Sequence, residues 1–281
     1  MKPCGTKVRL ITDYRQLNRA VRRPVHPFPS ASDLMKRIKP GSRFFCKLDA
    51  IHGYYQVPLS EESSFLTTFL LPEGRFRYLC APMGLALAGD EFCRWTDNAL
   101  EGLPYLLKIV DDMLIQAPTM AILRSHLHEV LTRCRKAGIK LSLSKMDYGS
   151  RLKFAGFVVS DKGVTADPDK VSAIRDFPTP KNVTEIRSFL GPVQQLSQFA
   201  PDLAHMTVAI RSLLKKNNAF TWLPVHDQGF ITVKNSMCSP VLVKPFDPSL
   251  PTELLTDVSK LFGIGFALIQ REPHNRAQLI L

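Results

Sequence analysis

The stretch LPYLLKIV-DD-MLIQA, residues 103–117, constrains this chain more than any other. Two apolar, strand-like runs flank the acidic pair Asp111-Asp112. Short apolar runs bounded by a polar break read as strands joined by a turn. The stretch is therefore expected to form a β-hairpin with both aspartates at its tip. An isolated Asp-Asp pair is as readily a solvated turn, so its meaning depends on what surrounds it.

Residues 44–48 form an apolar run expected to be a strand that ends at Asp49. Upstream, 8–12 (VRLIT) reads as a strand. Ser30 and Asp33 have the spacing of a helix N-cap and its N3 acid, opening a short helix to about Ile38. Residues 65–71 and 75–80 read as strands joined by Pro72-Glu73-Gly74. Residues 86–100 and 119–137 are expected to be helical, the second stopping at Gly138. Residues 152–159 (LKFAGFVV) read as one further strand, after which Asp161-Lys162-Gly163 turns the chain.

Beyond Asp167-Pro168 the texture becomes helical. Asn182 and Glu185 form a capping pair, and helical patterns recur at 203–216 and 226–237. Gly191-Pro192 is expected to break or kink the helix that begins near 183. Residues 252–256 and 262–270 resemble two strands opening a new α/β unit. The expected organisation is a mixed α/β domain at 1–165, a mainly helical region at 166–240 and an incomplete unit at 241–281.

Lys and Arg outnumber Asp and Glu by 37 to 25, a net charge of +12. The excess suits a polyanionic partner, because Lys and Arg displace condensed counterions from phosphates. A basic protein without such a partner fits the total equally well. The distribution says more: Lys2, Lys7, Arg9, Arg15, Arg19, Arg22 and Arg23 face the single Asp13 in the first 23 residues. The six cysteines show no CxxC pair and no zinc-like spacing with histidine, so reduced thiols are expected. No window approaches the roughly 20 apolar residues of a membrane span. The polar, basic start excludes a secretory signal at this terminus. The sequence reads as soluble and intracellular, cytoplasmic or nuclear, with no membrane partner.

The acidic residues suggest a specific chemistry. Carboxylates held on adjacent strand ends bind two hard divalent cations, an arrangement suited to in-line nucleotidyl transfer. That chemistry needs a third carboxylate from a neighbouring strand, and Asp49 ends one. Without metal, three clustered aspartates repel and raise one another's pKa.

Six segments then occur in order: RLITDYRQLN (9–18), LDAIHGYYQV (48–57), APMGL (81–85), KIVDDMLI (108–115), LSKMDYG (143–149) and KFAGFVVS (153–160). Together they resemble the reverse transcriptase of gypsy-type LTR retrotransposons. The resemblance implies an α+β right-hand polymerase: partial fingers, a palm with an antiparallel sheet, and a helical thumb and connection. It implies that Asp49, Asp111 and Asp112 bind Mg²⁺, with Mn²⁺ a possible substitute, and that Lys145 protonates the leaving pyrophosphate. Tyr54 matches the aromatic gate that excludes a ribose 2′-hydroxyl. Arg9 matches the fingers arginine at the incoming nucleotide, and Lys2 the lysine for its outer phosphate. Met83 and Gly84 match the loop lining the nucleotide and template site. Ala155 and Gly156 match the primer grip, and RSFLGPVQQLSQF (187–199) resembles the thumb and connection. LLTDVSKLFGIGFALIQ (254–270) resembles the opening of RNase H, with Asp257 as its first carboxylate. RNase H activity is expected to be absent, since no positions match the remaining ligands.

The implied partners are dNTPs and a primer on an RNA or DNA template; oligomeric state is left open. Three departures stand out: Ile109 where the family has an aromatic, 86–90 (ALAGD) in place of its Asn-Ala-Pro, and Pro192 in the thumb. Gly89 there weakens a helix by about 1 kcal/mol relative to Ala. The chain is expected to be part of a polyprotein, a truncated gene product or a decayed copy. The competing function is a catalytically inactive fragment that only binds nucleic acid. A different two-metal enzyme such as a nuclease is disfavoured by the gate and grip matches.

Overall fold

The computed structural model describes residues 2–4, 7–200, 203–215, 220–238, 242–259, 263–271 and 277–280. The chain begins with the strand pair β1 (Lys2–Cys4) and β2 (Lys7–Arg9), then α1 (Arg15–Ala20), α2 (Ala31–Met35) and β3 (Phe44–Asp49). The expected strand at 8–12 thus ends at Arg9, and α1 is an addition. Next come α3 (Glu61–Phe65), β4 (Phe69–Leu71) and β5 (Gly74–Phe76). The strand expected at 65–71 begins only at Phe69, because α3, capped by the Ser60 hydroxyl accepting from Ser63 N at 3.2 Å, takes the residues before it; the one expected at 75–80 ends at Phe76. Then follow α4 (Ala88–Ala99), β6 (Leu106–Ile109), β7 (Asp112–Ala117) and α5 (Met120–Ala137). Thr119 caps α5, and Gly138 ends it with a left-handed φ of 80°.

The second half begins with β8 (Asp147–Gly149), β9 (Arg151–Phe154), β10 (Phe157–Ser160) and β11 (Gly163–Ala166). Residues 152–159 are therefore a hairpin, not one strand. Ala155 and Gly156 take φ 51° and 85°, a two-residue turn that reverses the chain inside an apolar run. Helices α6 (Pro168–Arg175), α7 (Val183–Gln195), α8 (Leu203–Met206), α9 (Val208–Ser212) and α10 (Pro224–Cys238) follow. The antiparallel strands β12 (Thr252–Ser259), β13 (Gly263–Arg271) and β14 (Ala277–Leu279) close the chain.

Contacts gather the chain into two units, residues 1–30 with 46–148 and residues 31–45 with 149–281. In the first, the strand order is β6-β7-β3-β8. Five consecutive residues of β7, Met113–Ala117, are buried, so both of its faces are covered. In the second, β11-β10-β9 form an antiparallel sheet, and Phe189 of α7 packs on Phe230 of α10 with ring centroids 4.6 Å apart. Asn182 caps α7 through Glu185 N at 2.9 Å, and Glu185 Oε2 accepts from Lys181 N at 2.7 Å.

Helix α7 continues through Pro192, so of the break or kink expected there the break does not occur. Gly191 precedes it without a Cβ, which relaxes the clash that normally drives a pre-proline residue out of helical conformation. Only three further residues complete the helix.

No helix among the described residues is long and apolar enough to cross a membrane. Cys46, Cys93 and Cys134 are buried free thiols, and burial pushes Cys46 and Cys134 up to about 11. Cys80 is half-buried and Cys238 exposed; both are free.

Candidate active site

The acidic hairpin forms, but only the first of its two aspartates lies in the turn, the second opening β7. Ile109 pairs with Asp112, leaving Val110 and Asp111 as the two turn residues. Val110 carries φ 53°, left-handed backbone that a β-branched residue adopts at a cost of about 1–3 kcal/mol. Its side chain packs against the cluster of Ala50, Phe92 and Cys93, and Asp111 O accepts from Ala50 N at 3.0 Å. Packing and this bond hold the turn against the end of β3. Asp49, at that end, is thereby placed beside Asp111.

Asp49 is 8% exposed, and its Oδ1 accepts from Lys145 Nζ at 2.8 Å. Lys145 rides on a segment that is tied to the same strand: Ser142 N donates to Asp49 O at 2.8 Å, and Ala50 bridges to Leu141. Gln56 braces the connection, its amide donating to Ile51 O and Lys140 O while its oxygen accepts from Lys140 N. Lys47 Nζ lies 3.4 Å from Asp112 Oδ1.

Electrostatics follow from this crowding. The Asp111 carboxyl is held above its ordinary value, first by loss of water and then by the charges of Asp112 and Asp49, with Lys145 opposing. Lys145 holds its proton more tightly than usual, chiefly through its bond to Asp49. An all-carboxylate oxygen set is the donor chemistry of a hard divalent cation, and a cation would relieve the repulsion on Asp111. Among the described residues, no three acidic, histidine or cysteine side chains are drawn together closely enough to hold an ion as they stand. The donor set fits a divalent ion, provided the Lys145 ammonium leaves Asp49.

Tyr54 follows on a single 3₁₀ turn, Gly53–Gln56. Its half-buried ring packs into two clusters, one around Tyr14 and Leu85, the other around Phe92. Burial raises the phenol pKa, and the charge of Asp111 adds to the shift. Tyr54 is thus both a packing residue and a neighbour of the acidic hairpin.

Gly84 is exposed with φ 94°, backbone that favours glycine. Met83 beside it is half-buried. This loop is held by a residue that the sequence reading passed over. Asn18 Nδ2 donates to Gly84 O at 2.8 Å, and Asn18 Oδ1 accepts from Ala86 N at 2.8 Å. No sequence signal connects residues so far apart. Lys47 did carry one, since it shares the Asp49 face of β3 at a spacing of two.

Helix α4, where the family triplet is replaced, contains buried Asp90, which binds Arg23 through two contacts and accepts from His26 N at 3.2 Å. A Cβ on Gly89 would lie 3.7 Å from the Tyr54 hydroxyl, ordinary contact.

Lys2 and Arg9 stand opposite each other in the β1–β2 register; their side chains lie outside the described residues. Asp257 pairs with Gly265 in the β12–β13 ladder, and its side chain also lies outside them. Ala155 and Gly156 form the β9–β10 turn of the second unit.

Comparison with solved structures shows a shared fold. The foamy viral protease-reverse transcriptase dRH in complex with ds DNA superposes with a TM-score of 0.87 at 18% identity, over 100% of this chain and 49% of the other. The same viral protein with an RNA/DNA hybrid gives 0.80 at 17%, over 96% and 38%. Residues 2–159 match the family described as reverse transcriptase (RNA-dependent DNA polymerase), and the chain belongs to that family. It is 29% identical over 272 residues to the Transposon Tf2-3 polyprotein of Schizosaccharomyces pombe, and 28% identical to Tf2-7. It spans 96% of its own length but about a fifth of those polyproteins. The resemblance to gypsy-type elements is borne out.

Proposed function

We propose that this chain is the polymerase portion of a retrotransposon polyprotein, extending a DNA primer with dNTPs on an RNA or DNA template. One observation supports the reading: Ala50 N bonds Asp111 O at 3.0 Å, so the end of β3 that carries Asp49 lies against the acidic hairpin, and Lys145 bonds Asp49. Asp49 and Asp111, with Asp112, are the groups that would hold Mg²⁺ or Mn²⁺. Bound there, such ions lower the barrier to attack by a primer 3′-hydroxyl and offset charge on the leaving pyrophosphate.

The chain's own residues supply the rest. Lys145, exposed and firmly protonated, would donate a proton from its ammonium to an anionic leaving group once Asp49 releases it, and be left as the neutral amine. Tyr54 stands between two packed clusters, so a ring there holds its place against a ribose 2′-hydroxyl. Asn18 fixes the backbone of the Met83-Gly84 loop that lines the nucleotide. Lys2 and Arg9, opposite one another in register, are assigned to the nucleotide phosphates. The segments 1–165, 166–240 and 241–281 are read as fingers and palm, thumb and connection, and an RNase H-like opening containing Asp257. The solved relatives' double-stranded DNA and RNA/DNA hybrid ligands support a nucleic-acid partner for this chain.

The test is dNTP incorporation on an RNA template with a DNA primer, in Mg²⁺ and in Mn²⁺, with Asp111→Asn as control. Metal-dependent extension lost in the control is the expected result. The absence of a gathered three-carboxylate cluster among the described residues favours a second reading, a chain that binds nucleic acid without catalysis. That reading requires no extension, with salt-sensitive duplex binding unchanged in Asp111→Asn.

A further inference from the structure

The β9–β10 turn has a cation laid across it. A Cβ on Gly156 would stand 2.0 Å from Nζ and 2.5 Å from Cε of Lys170, so the lysine stem fills the space a side chain would need. Lys170 comes from α6, and Asp167, the cap of that helix, donates its N–H to Gly156 O at 3.4 Å. The ammonium donates to Gln195 Oε1 at 2.7 Å, on the last residue of α7. One turn, one helix start and one helix end therefore meet at this lysine.

The surrounding charges are already committed. Asp167, whose charge reaches Lys170, is bound by Lys153 Nζ at 3.0 Å, and Lys153 also bonds Asp169. Lys170 is left on a neutral amide oxygen. Half-burial pulls its pKa down, against the pull of Asp167. A partly dehydrated ammonium bonded to a neutral acceptor gains from an anionic oxygen, since charge-assisted bonds are roughly twice as strong as neutral ones.

We propose that Lys170, seated on Gly156 and steadied by Gln195, is a binding residue for a phosphodiester of the nucleic-acid strand lying over the β9–β10 turn. The inference rests on the reading of this chain as a primer–template-binding reverse transcriptase. Gln195 is a positioning residue that fixes where the ammonium sits before the strand arrives.

The experiment measures primer–template DNA binding by fluorescence anisotropy from about 0.05 to 1 M salt, which exposes the counterion slope. Lys170→Met keeps most of the stem and removes the charge, whereas Lys170→Arg keeps the charge. Losing one phosphate contact flattens the slope of log K against log salt by about 0.9, which is about eightfold weaker binding at 0.1 M and none at 1 M. The Arg variant should retain the wild-type slope. A lysine that only staples the turn to α7 predicts a wild-type slope in the Met variant, and that result overturns the proposal. Acetylation footprinting of the unmodified chain decides the matter should Lys170→Met fold poorly. Bound duplex should slow modification of Lys170 but not of exposed Lys136 on α5, and equal rates with and without duplex overturn it too. No duplex binding by the wild-type chain removes the underlying functional reading instead.

Discussion

Substituting Gly53 with alanine should disturb both the core and Tyr54, the residue proposed as the nucleotide gate. Gly53 lies between Asp49 and Tyr54 in sequence, and a Cβ there would stand 2.9 Å from Cζ of Phe92. The two Cε atoms of that ring would lie at 3.1 and 3.2 Å. Phe92 is fully buried, with Tyr54 and Trp95 each set edge-on to it at 6.1 Å between centroids. The ring therefore has no free direction of retreat. Overpacking a filled core costs about 1–3 kcal/mol, and contact with a ring braced by two aromatic neighbours places this case in the upper half, about 2–3 kcal/mol. Urea unfolding followed by tryptophan fluorescence measures the cost. Phe92→Leu shortens the obstructing group, so the double variant should lose less than the two singles combined, by about 1–2 kcal/mol. If Phe92 is forced towards Tyr54, discrimination against ribonucleotides should change with it. A loss below about 0.5 kcal/mol, or additive singles, refutes the steric argument.

Asn18→Ala removes two hydrogen bonds that hold the Gly84 loop, worth about 1–3 kcal/mol together; the dNTP KM should rise about tenfold with kcat less affected. An unchanged KM with a reduced kcat would count against Asn18 as a loop clamp. Lys145→Met frees Asp49 of its ammonium. Because Lys145 is mostly exposed the pair is worth about 0.2–1 kcal/mol, so Mn²⁺ should bind more tightly by up to about fivefold in calorimetry, and weaker binding would refute the competition. Asp111→Asn should stabilise the metal-free chain at neutral pH. A carboxyl with a raised folded pKa contributes stability below its ordinary value of 3.8, and that contribution is lost as pH rises through the folded value. In chelator, thermal scans should show the variant more stable than wild type at pH 7 and no different near pH 3; a less stable variant at pH 7 would sink the assignment.

What the sequence made legible was set by periodicity and polar interruption. The acidic hairpin was readable because two apolar runs flank the pair, and the Asp49 strand because its run ends on a charge. The caps of α5 and α7 were readable because Gly138 and the Asn182–Glu185 pair have few other uses. The β9–β10 turn was hidden because Ala155 carries no turn signal and the apolar residues continue on both sides. Left-handed φ at an alanine is imposed by the strand pairing, not chosen by the residue. Helix α1 was missed because it is six residues long and none is buried, leaving no amphipathic stripe to read. Asn18 and Gln56 were missed for a different reason: each acts on backbone 66 to 84 residues away, which no local pattern encodes.

The two lysines at the carboxylates explain how such a cluster is tolerated before a cation binds. Three carboxylates on neighbouring strand ends repel strongly, since two unit charges 4 Å apart interact by about 4 kcal/mol at an effective dielectric of 20. Lys47 answers from within β3 itself and Lys145 from the segment bonded to the end of that strand, so the fold that gathers the acids also gathers their counterions. The two are not equivalent. The Lys47 side chain is 27% exposed and set in a central strand, whereas that of Lys145 is 63% exposed on a short surface turn. Lys47 is therefore suited to hold Asp112 in every state, and Lys145 to change partners. Asp111 makes no ion pair among the described residues, and it is the carboxylate whose proton affinity is raised. On the proposed reading, the acid left without a lysine is the one whose charge has most to gain from a divalent cation, and Asp49 is the one that must trade an ammonium for it.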